Sequence, residues 1–562
     1  MSKKLDIHNF WRSNIFIILM FAVVSIMSGI FFWHSHFVAM FLDFDFHWHR
    51  INELRESILN GNWFPLVSLN EFNQSGSAVM ALYPKINLYP IVFLSLIIKS
   101  YVELLHLAFI IRNFFALILA YYACYRYSKN KNVSILFSVS FTLSTMALFY
   151  GVSVYGIGTS SAMVFIPLVL FGFLQLLKKD EWIELSIGMS GIILSHVLNS
   201  IIVVGFLAIF LLVNLRKFQS ITKVISLAKS VITTILLTSF FWIPFIIISS
   251  SNKIHTPDNI LFYDGTDFHT LISDSINNNI SASITFVALI GLVLSIINYK
   301  NLFGYKKQIF WLSVIFLIIC SPVFPWSVLK HTIFSHIQFT NRIYVIPEVL
   351  LCYLFAENYV FMIKLKCIRH YLGAVVIAVL SILTLQFGAQ ETLVNNTTNR
   401  PRMTQPYSGN WAFKLQNNSD FDNILNSTSL SNNDYYLQTS EHSYNEINNR
   451  LAIYDDKDIK VNLLGNGGFS FKLPSNSKRI SLPFMYYNGI NYQVKLDGKT
   501  IKGYPNKNAL MTINNVRKGK HHVQIIVHKT KAEIGSYILS LIGLLILLGA
   551  ILKNFLKKRK NK

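Results

Sequence analysis

Asp43, Asp45, His47, His49 and Arg50 fall in one short run, Asp43-Phe-Asp45-Phe-His47-Trp-His49-Arg50, directly after an apolar stretch at 14–33. If the run is helical, Asp43 and His47 lie one turn apart and Arg50 shares their face. A carboxylate placed there can take a proton from a reacting group. A guanidinium can hold an anion through its bidentate fork. Two acids and two histidines are also a possible set of ligands for a divalent metal, although no third cluster converges on them in the sequence. Ionisable groups at a bilayer edge are costly and usually sit in a water-filled cavity with a task.

The elements that must position this run are membrane helices. The 562 residues are 52% hydrophobic and only 14% charged, with a mean hydropathy of +0.44. A soluble domain carries a charged fraction nearer 25%. Apolar stretches near 14–33, 103–126, 133–152, 160–177, 183–198, 200–214, 224–249, 283–298, 308–322, 342–363, 372–389 and 534–552 give about twelve predicted spans by the length criterion. The pair 183–198 and 200–214 reads either as two spans or as one bent helix. Ile86 to Ser100, short and interrupted by Pro90, reads as a helix on the outer surface or dipping partway in.

The net charge of +23 comes from Lys and Arg beside the spans, as in Lys3-Lys4, Arg126 to Lys131, Lys364 to Arg369 and Lys557 to Lys562. That is the pattern of cytoplasmic loops, and no motif for nucleic-acid binding accompanies it. An even span count and two basic tails place both termini in the cytoplasm. The loops 34–102 and 250–281, the turn at His196 and the polar segment 391–532 then face outward. No cleavable signal sequence follows the first span, which reads as a signal anchor. Composition suggests a bacterial plasma membrane.

Three units follow: 1–390, a multi-pass domain carrying the first outer loop 34–102; 391–532, polar; and 533–562, a final span with a basic tail. In the second, the Asn-rich part 391–440 reads as an irregular linker. Beyond it, Ile480 to Pro483, Tyr492 to Leu496 and His521 to Val527, separated by Asn488-Gly489, Asp497-Gly498 and Lys518-Gly519, predict an extracytoplasmic β-sandwich. The four cysteines form no metal-binding pattern. In 250–281, His255, Asp258, Asp264, Asp267 and His269 mark a possible lid.

The first outer loop continues through Arg50-Ile51, Gly61-Asn-Trp63-Phe-Pro65, Gly76 and Tyr83-Pro84. In this order the motifs resemble the first loop of bacterial GT-C-type membrane glycosyltransferases, in particular the YfhO-like proteins and the membrane proteins labelled 6-pyruvoyl-tetrahydropterin synthase-related. Ile337-Gln338-Phe339-Thr-Asn-Arg342 is similar to that group's Gln-Phe-Pro-x-Arg motif, with Thr340 in place of proline. Leu482-Pro-Phe-Met-Tyr-Tyr-Asn-Gly489 and Gly519-Lys-His-His-Val resemble its C-terminal β-domain.

The resemblance implies a polytopic α-helical fold of GT-C type, with the β-sandwich before the last helix. It also implies transfer of a sugar from a polyprenyl-phosphate-linked donor to a cell-surface polymer or glycolipid. Asp43 is then the expected general base with Asp45 in reserve, and Arg342, then Arg50, the expected phosphate cation. His47, His49, Tyr83 and His196 are expected at the substrate, His47 orienting the acid or binding phosphate. No cofactor is certain, and a divalent metal stays open. Two other classes compete: a flippase for a lipid-linked saccharide, which should show internal repeats and mid-span ionisable groups, and a non-catalytic envelope-assembly protein.

Overall fold

The computed structural model describes residues 13–40, 43–256, 264–277, 279, 283–362, 402–405, 413–427 and 433–560. Most of it is helical, as the apolar runs require, because a backbone in lipid must satisfy its own polar groups. Eleven of the apolar stretches fall on helices; 372–389 lies outside the described residues. Five helices are long and apolar enough to cross a membrane: Tyr101–Ser128, Ile157–Lys179, Ile221–Ser251, Thr340–Met362 and Lys531–Lys557. Lys131–Thr142 with Thr145–Val152 makes a sixth if the 44° bend between them is counted as one span. The chain is a membrane protein, and these five or six helices are counted by length and composition among the described residues. The ambiguous pair resolves into two short helices, Ile183–Ile193 and Val197–Val213, broken at His196.

The last helix packs along Ile221–Ser251 through small residues. A Cβ added at Gly543 would meet the Leu237 backbone nitrogen at 2.7 Å, and the hydroxyls of Ser239 and Ser540 lie 2.8 Å apart. Close backbone approach and side-chain hydrogen bonding are what hold helices together where no hydrophobic force acts between them. Inside the bundle, Glu348 caps the helix Phe286–Ile297 by accepting from the Thr285 backbone N–H at 2.9 Å and its hydroxyl at 2.7 Å.

The C-terminal sheet region runs over ten strands: β3 (Leu451–Tyr454), β4 (Lys457–Lys460), β5 (Asn462–Gly465), β6 (Gly468–Leu473), β7 (Ser477–Met485), β8 (Asn491–Leu496), β9 (Lys499–Ile501), β10 (Tyr504–Pro505), β11 (Leu510–Val516) and β12 (Gly519–His528). They form two five-stranded antiparallel sheets, ordered β10-β11-β7-β3-β4 and β5-β6-β12-β8-β9. Phe469 and Phe471 of one sheet share a buried core with Ile480, Leu482 and Phe484 of the other. Asp497-Gly498, both at positive φ, turn β8 into β9 as a tight hairpin requires.

The sandwich docks on the first loop. Gly467 N–H donates to Leu69 O and Met485 N–H to Ser75 O, both at 2.7 Å. Gly76, at φ +69°, lies under the Phe484 ring, whose atoms come within 2.6 Å of where its Cβ would be.

The segment expected to be an irregular linker is partly ordered. Strand β2 (Phe413–Leu415) pairs antiparallel with β1 (Val38–Met40) just before the acidic run. The helix Asn418–Leu425 then sets Phe421 against Phe44 and Trp48. Its Asn and Ser residues serve as caps and turn formers, with Asn417 and Asp420 making a reciprocal capping box.

Candidate functional site

The acidic run is a helix, Phe44–Leu59, with Asp43 as its N-cap residue. His47 and Arg50 therefore share a face, and the Arg50 guanidinium reaches His47 Nδ1 at 3.2 Å. Arginine only donates, so Nδ1 accepts and the His47 proton sits on Nε2. Arg50 is completely buried. It donates to Pro84 O at 2.5 Å and lies 4.1 Å over the Tyr83 ring, a cation–π contact shielded from water. Burial, then the Arg50 charge, hold His47 well below the ordinary imidazole range. His47 is thus neutral at physiological pH.

Asp43 differs from its neighbours. It remains solvent-accessible, yet protein surrounds it closely enough that desolvation raises its carboxyl above the usual aspartate range, with Arg342 pulling it back and Asp45 pushing it up. Such a group lines an open recess within the protein. Arg342 comes from a distant part of the sequence. Its Nη1 donates to Ile337 O at 3.2 Å and Gln338 Oε1 at 3.0 Å, so the Gln338-Phe339-x-x-Arg342 stretch fixes its own guanidinium. Its charge acts on Asp43, His196, Tyr83 and Tyr150.

His196 enters from the break between two helices. It caps Val197–Val213 by accepting the Asn199 N–H on Nδ1 at 3.2 Å, which leaves Nε2–H free for the recess. Burial first, then Arg342 and Arg50, push it down to about 3. Its ring stands 5.8 Å from that of Tyr83. Gly158 forms the wall beside them: a Cβ there would lie 2.6 Å from Tyr83 Oη and 2.7 Å from His196 Cδ2.

Asp43, His47, Arg50, Tyr83, His196 and Arg342 are therefore assembled from four separated segments. Asp45 is buried beside Asp43, with its carboxylate accepting the Phe46 N–H at 2.7 Å. His49 is not among them. Two residues from His47 on a helix, it points to the other side and its Nδ1 pairs with Glu71 Oε2 at 2.7 Å. That pairing takes it out of the expected substrate set and also disperses the two-acid, two-histidine metal set. Among the described residues, no three His, Cys, Asp or Glu side chains are grouped to hold a metal.

Two tyrosines join without having been expected. Tyr435, from the Asn-rich segment, stacks on Phe46 at 6.1 Å and meets Tyr83 edge-on at 6.1 Å. The 253–255 stretch holds it there: Tyr435 N–H donates to His255 O at 2.8 Å, and His255 N–H to Tyr436 O at 2.7 Å. Tyr150 feels the charges of Arg342 and Asp43. Neither was singled out in the sequence, because Tyr435 lies in the Asn-rich segment and Tyr150 inside an apolar span. Of the other lid candidates, Asp267 caps its own helix through Thr270, Asp264 pairs with Lys330, His269 is exposed, and Asp258 lies outside the described residues.

Next to this recess is a largely apolar cavity of about 520 Å³, lined by Ile86, Ile91, Leu105, Phe109, Val164 and Leu194 among others, with Tyr155, Ile157 and Ser195 at the boundary with the polar group.

No family model matches the sequence. An uncharacterized protein of Lactococcus lactis subsp. cremoris strain MG1363 is 23% identical over 345 residues, which cover 57% of this chain and 56% of that protein. The match thus spans little more than half of the relative's length. Among solved structures, the arabinofuranosyltransferase AftD from mycobacteria is similar with a TM-score of 0.42 and 13% identity, over 66% of this chain and 27% of its own. ArnT from Cupriavidus metallidurans, solved bound to undecaprenyl phosphate, has a TM-score of 0.39 and 11% identity, over 75% of this chain and 86% of its own. Likeness at this level does not fix an activity.

Proposed function

We propose that this protein is a membrane glycosyltransferase of GT-C type that moves a sugar from a polyprenyl-phosphate donor to a hydroxyl of a surface polymer or glycolipid. The observation that carries the reading is the accessible carboxylate of Asp43 facing the Arg342 charge across a recess walled by Tyr83, Tyr435 and His196. An alcohol is a weak nucleophile, so a carboxylate must take its proton as the new C–O bond forms at the anomeric carbon. The sugar–phosphate bond breaks in the same step, its electron pair passing to the lipid phosphate. That growing charge needs a fixed cation, which Arg342 supplies. A single displacement of this kind inverts the anomeric centre. Arg50, which donates from Nη2 to Pro84 O and from Nη1 to His47 Nδ1, acts by holding Tyr83. Phe46, Tyr83 and Tyr435 offer aromatic faces to a sugar ring, and the apolar cavity alongside accommodates hydrocarbon.

In cells lacking the native copy, Asp43→Asn protein should be made at normal level while surface glycosylation is lost and the lipid-linked donor accumulates outside. Normal glycans with normal expression would sink the assignment. A second test uses the wall of the recess. Gly158→Val forces Tyr83 and His196 to shift, so transfer should fall by about 10²-fold, with a lower melting temperature from the over-packing, which costs about 1–3 kcal/mol. Unaltered turnover in that variant would mean the sugar lies elsewhere.

A further inference from the structure

Phe72, Asn73 and Gln74 form a buried turn in which all three backbones are left-handed, at φ +53°, +57° and +50°. L-residues avoid this region, and asparagine or glycine visits it singly rather than in runs. Phe72 and Gln74 are therefore held against their own preference, so the turn must be fixed by its surroundings. Local hydrogen bonds contribute: Gln74 N–H donates to Glu71 O at 3.0 Å and Ser75 N–H to Phe72 O at 3.1 Å. Further ties come from the sandwich. Arg450, directly before β3, donates from Nε and Nη2 to Asn73 Oδ1 at 3.2 and 3.1 Å, and the Glu71 carboxylate acts on its charge. With its amide turned to satisfy both atoms, Gln74 donates to Gly468 O at 3.1 Å and accepts from Gly465 N–H at 2.8 Å.

The other side of the turn meets the helix Phe44–Leu59. The Phe72 ring stands edge-on to Phe46 at 6.0 Å and lies 5.1 Å from the His49 ring. Glu71, just before it, pairs with His49 and accepts from Asn52. Phe46 in turn stacks on Tyr435 at 6.1 Å and meets Tyr83 edge-on at 5.8 Å. Packed rings thus run without a break from the turn that the sandwich grips to the aromatic wall of the recess.

We infer that Arg450 is a positioning residue for the recess: through Asn73 it holds the left-handed turn, and the turn sets Phe72 and with it Phe46. The sandwich then shapes the site from outside it, by fixing a backbone conformation that the first loop would not keep alone. That Phe46 meets a sugar rests on the transferase reading; the coupling of sandwich to recess does not.

The test separates the side chain of Asn73 from its backbone. Asn73→Ala and Asn73→Gly both lose the acceptor for Arg450, but only glycine is at ease at positive φ. Hydrogen–deuterium exchange of the full-length protein in detergent reads the amides of 47–52 and 70–76, with strands β7 and β11 reporting an intact sandwich. Arg450→Met and Asn73→Ala should each speed exchange in both windows about tenfold or more, the worth of a hydrogen bond to a charged group. Both should leave β7 and β11 as in wild type. Arg450→Lys, which keeps a donor, should recover part of the protection, and Asn73→Gly most of it. Surface glycosylation in cells lacking the native copy should follow the same order. Faster exchange confined to 70–76, or equal behaviour of the Ala and Gly variants, overturns the positioning role. Lost protection in β7 and β11 as well overturns it too, since Arg450 would then serve the sandwich alone. The expected exchange pattern in a protein that transfers no sugar would leave this coupling standing and the transferase reading fallen.

Discussion

Asp43→Asn protein is expected to transfer sugar about 10²- to 10⁴-fold more slowly than wild type, the usual worth of a positioned base. The same residue should set the acid limb of the rate profile. A base works only when deprotonated, so activity falls as pH drops through its pKa, and desolvation places that pKa above the ordinary aspartate value of 3.8. Arg342 favours the charged carboxylate and Asp45 disfavours it. Arg342→Gln should therefore move the acid limb to higher pH in addition to lowering the rate, while Asp45→Asn should move it to lower pH. A pH–rate profile of kcat/KM for the three proteins checks the signs. An acid limb that ignores both substitutions would assign the base to another group. His47, held neutral first by burial and then by the Arg50 charge, should contribute no limb between pH 5 and 8, whereas a protonating histidine would.

Glu53→Ala should be the most destabilising single change in the first loop. The Glu53 side chain is fully buried, and its carboxylate accepts three consecutive backbone N–H groups, from Leu69, Asn70 and Glu71, at 3.1, 2.9 and 2.7 Å. The Ser57 hydroxyl adds a fourth donor at 3.0 Å. Each buried donor left without a partner costs about 1–3 kcal/mol, so a loss of ~3 kcal/mol or more is expected. The consequence reaches further than the loop. Residues 69–76 carry the contacts to Gly467, Met485 and Asn466, so the sandwich should loosen from the helical part. Limited proteolysis of the purified protein would then cut between the two at concentrations that leave wild type intact. Equal protease resistance and melting temperature would show that the sandwich is held without this loop.

Part of the site was legible before any coordinates. A helical period of 3.6 puts Asp43, His47 and Arg50 on one face whatever surrounds them, and the helix Phe44–Leu59 keeps that arrangement. Arg342 stood out through the resemblance carried by Gln338-Phe339-x-x-Arg342, and His196 through its place at a turn between two predicted spans. The same period sends His49 to the opposite side, but only its meeting with Glu71 shows that this side is structural. Tyr435 and Gly158 could not be read at all. The first depends on how the 433–438 segment pairs with 253–255; the second is informative only because Tyr83 and His196 converge on it.

By itself, then, the sequence determines a helical membrane protein, a sandwich near its end and a reactive face after the first apolar stretch. Each of these follows from local periodicity and composition, which act between residues close in the chain. Which acid remains accessible and which cation acts on it were decided only by tertiary structure. Electrostatics and desolvation act through space and depend on what the fold brings near. Asp43 and Arg342 lie far apart in sequence and meet across one recess, and no pattern along the chain encodes that meeting.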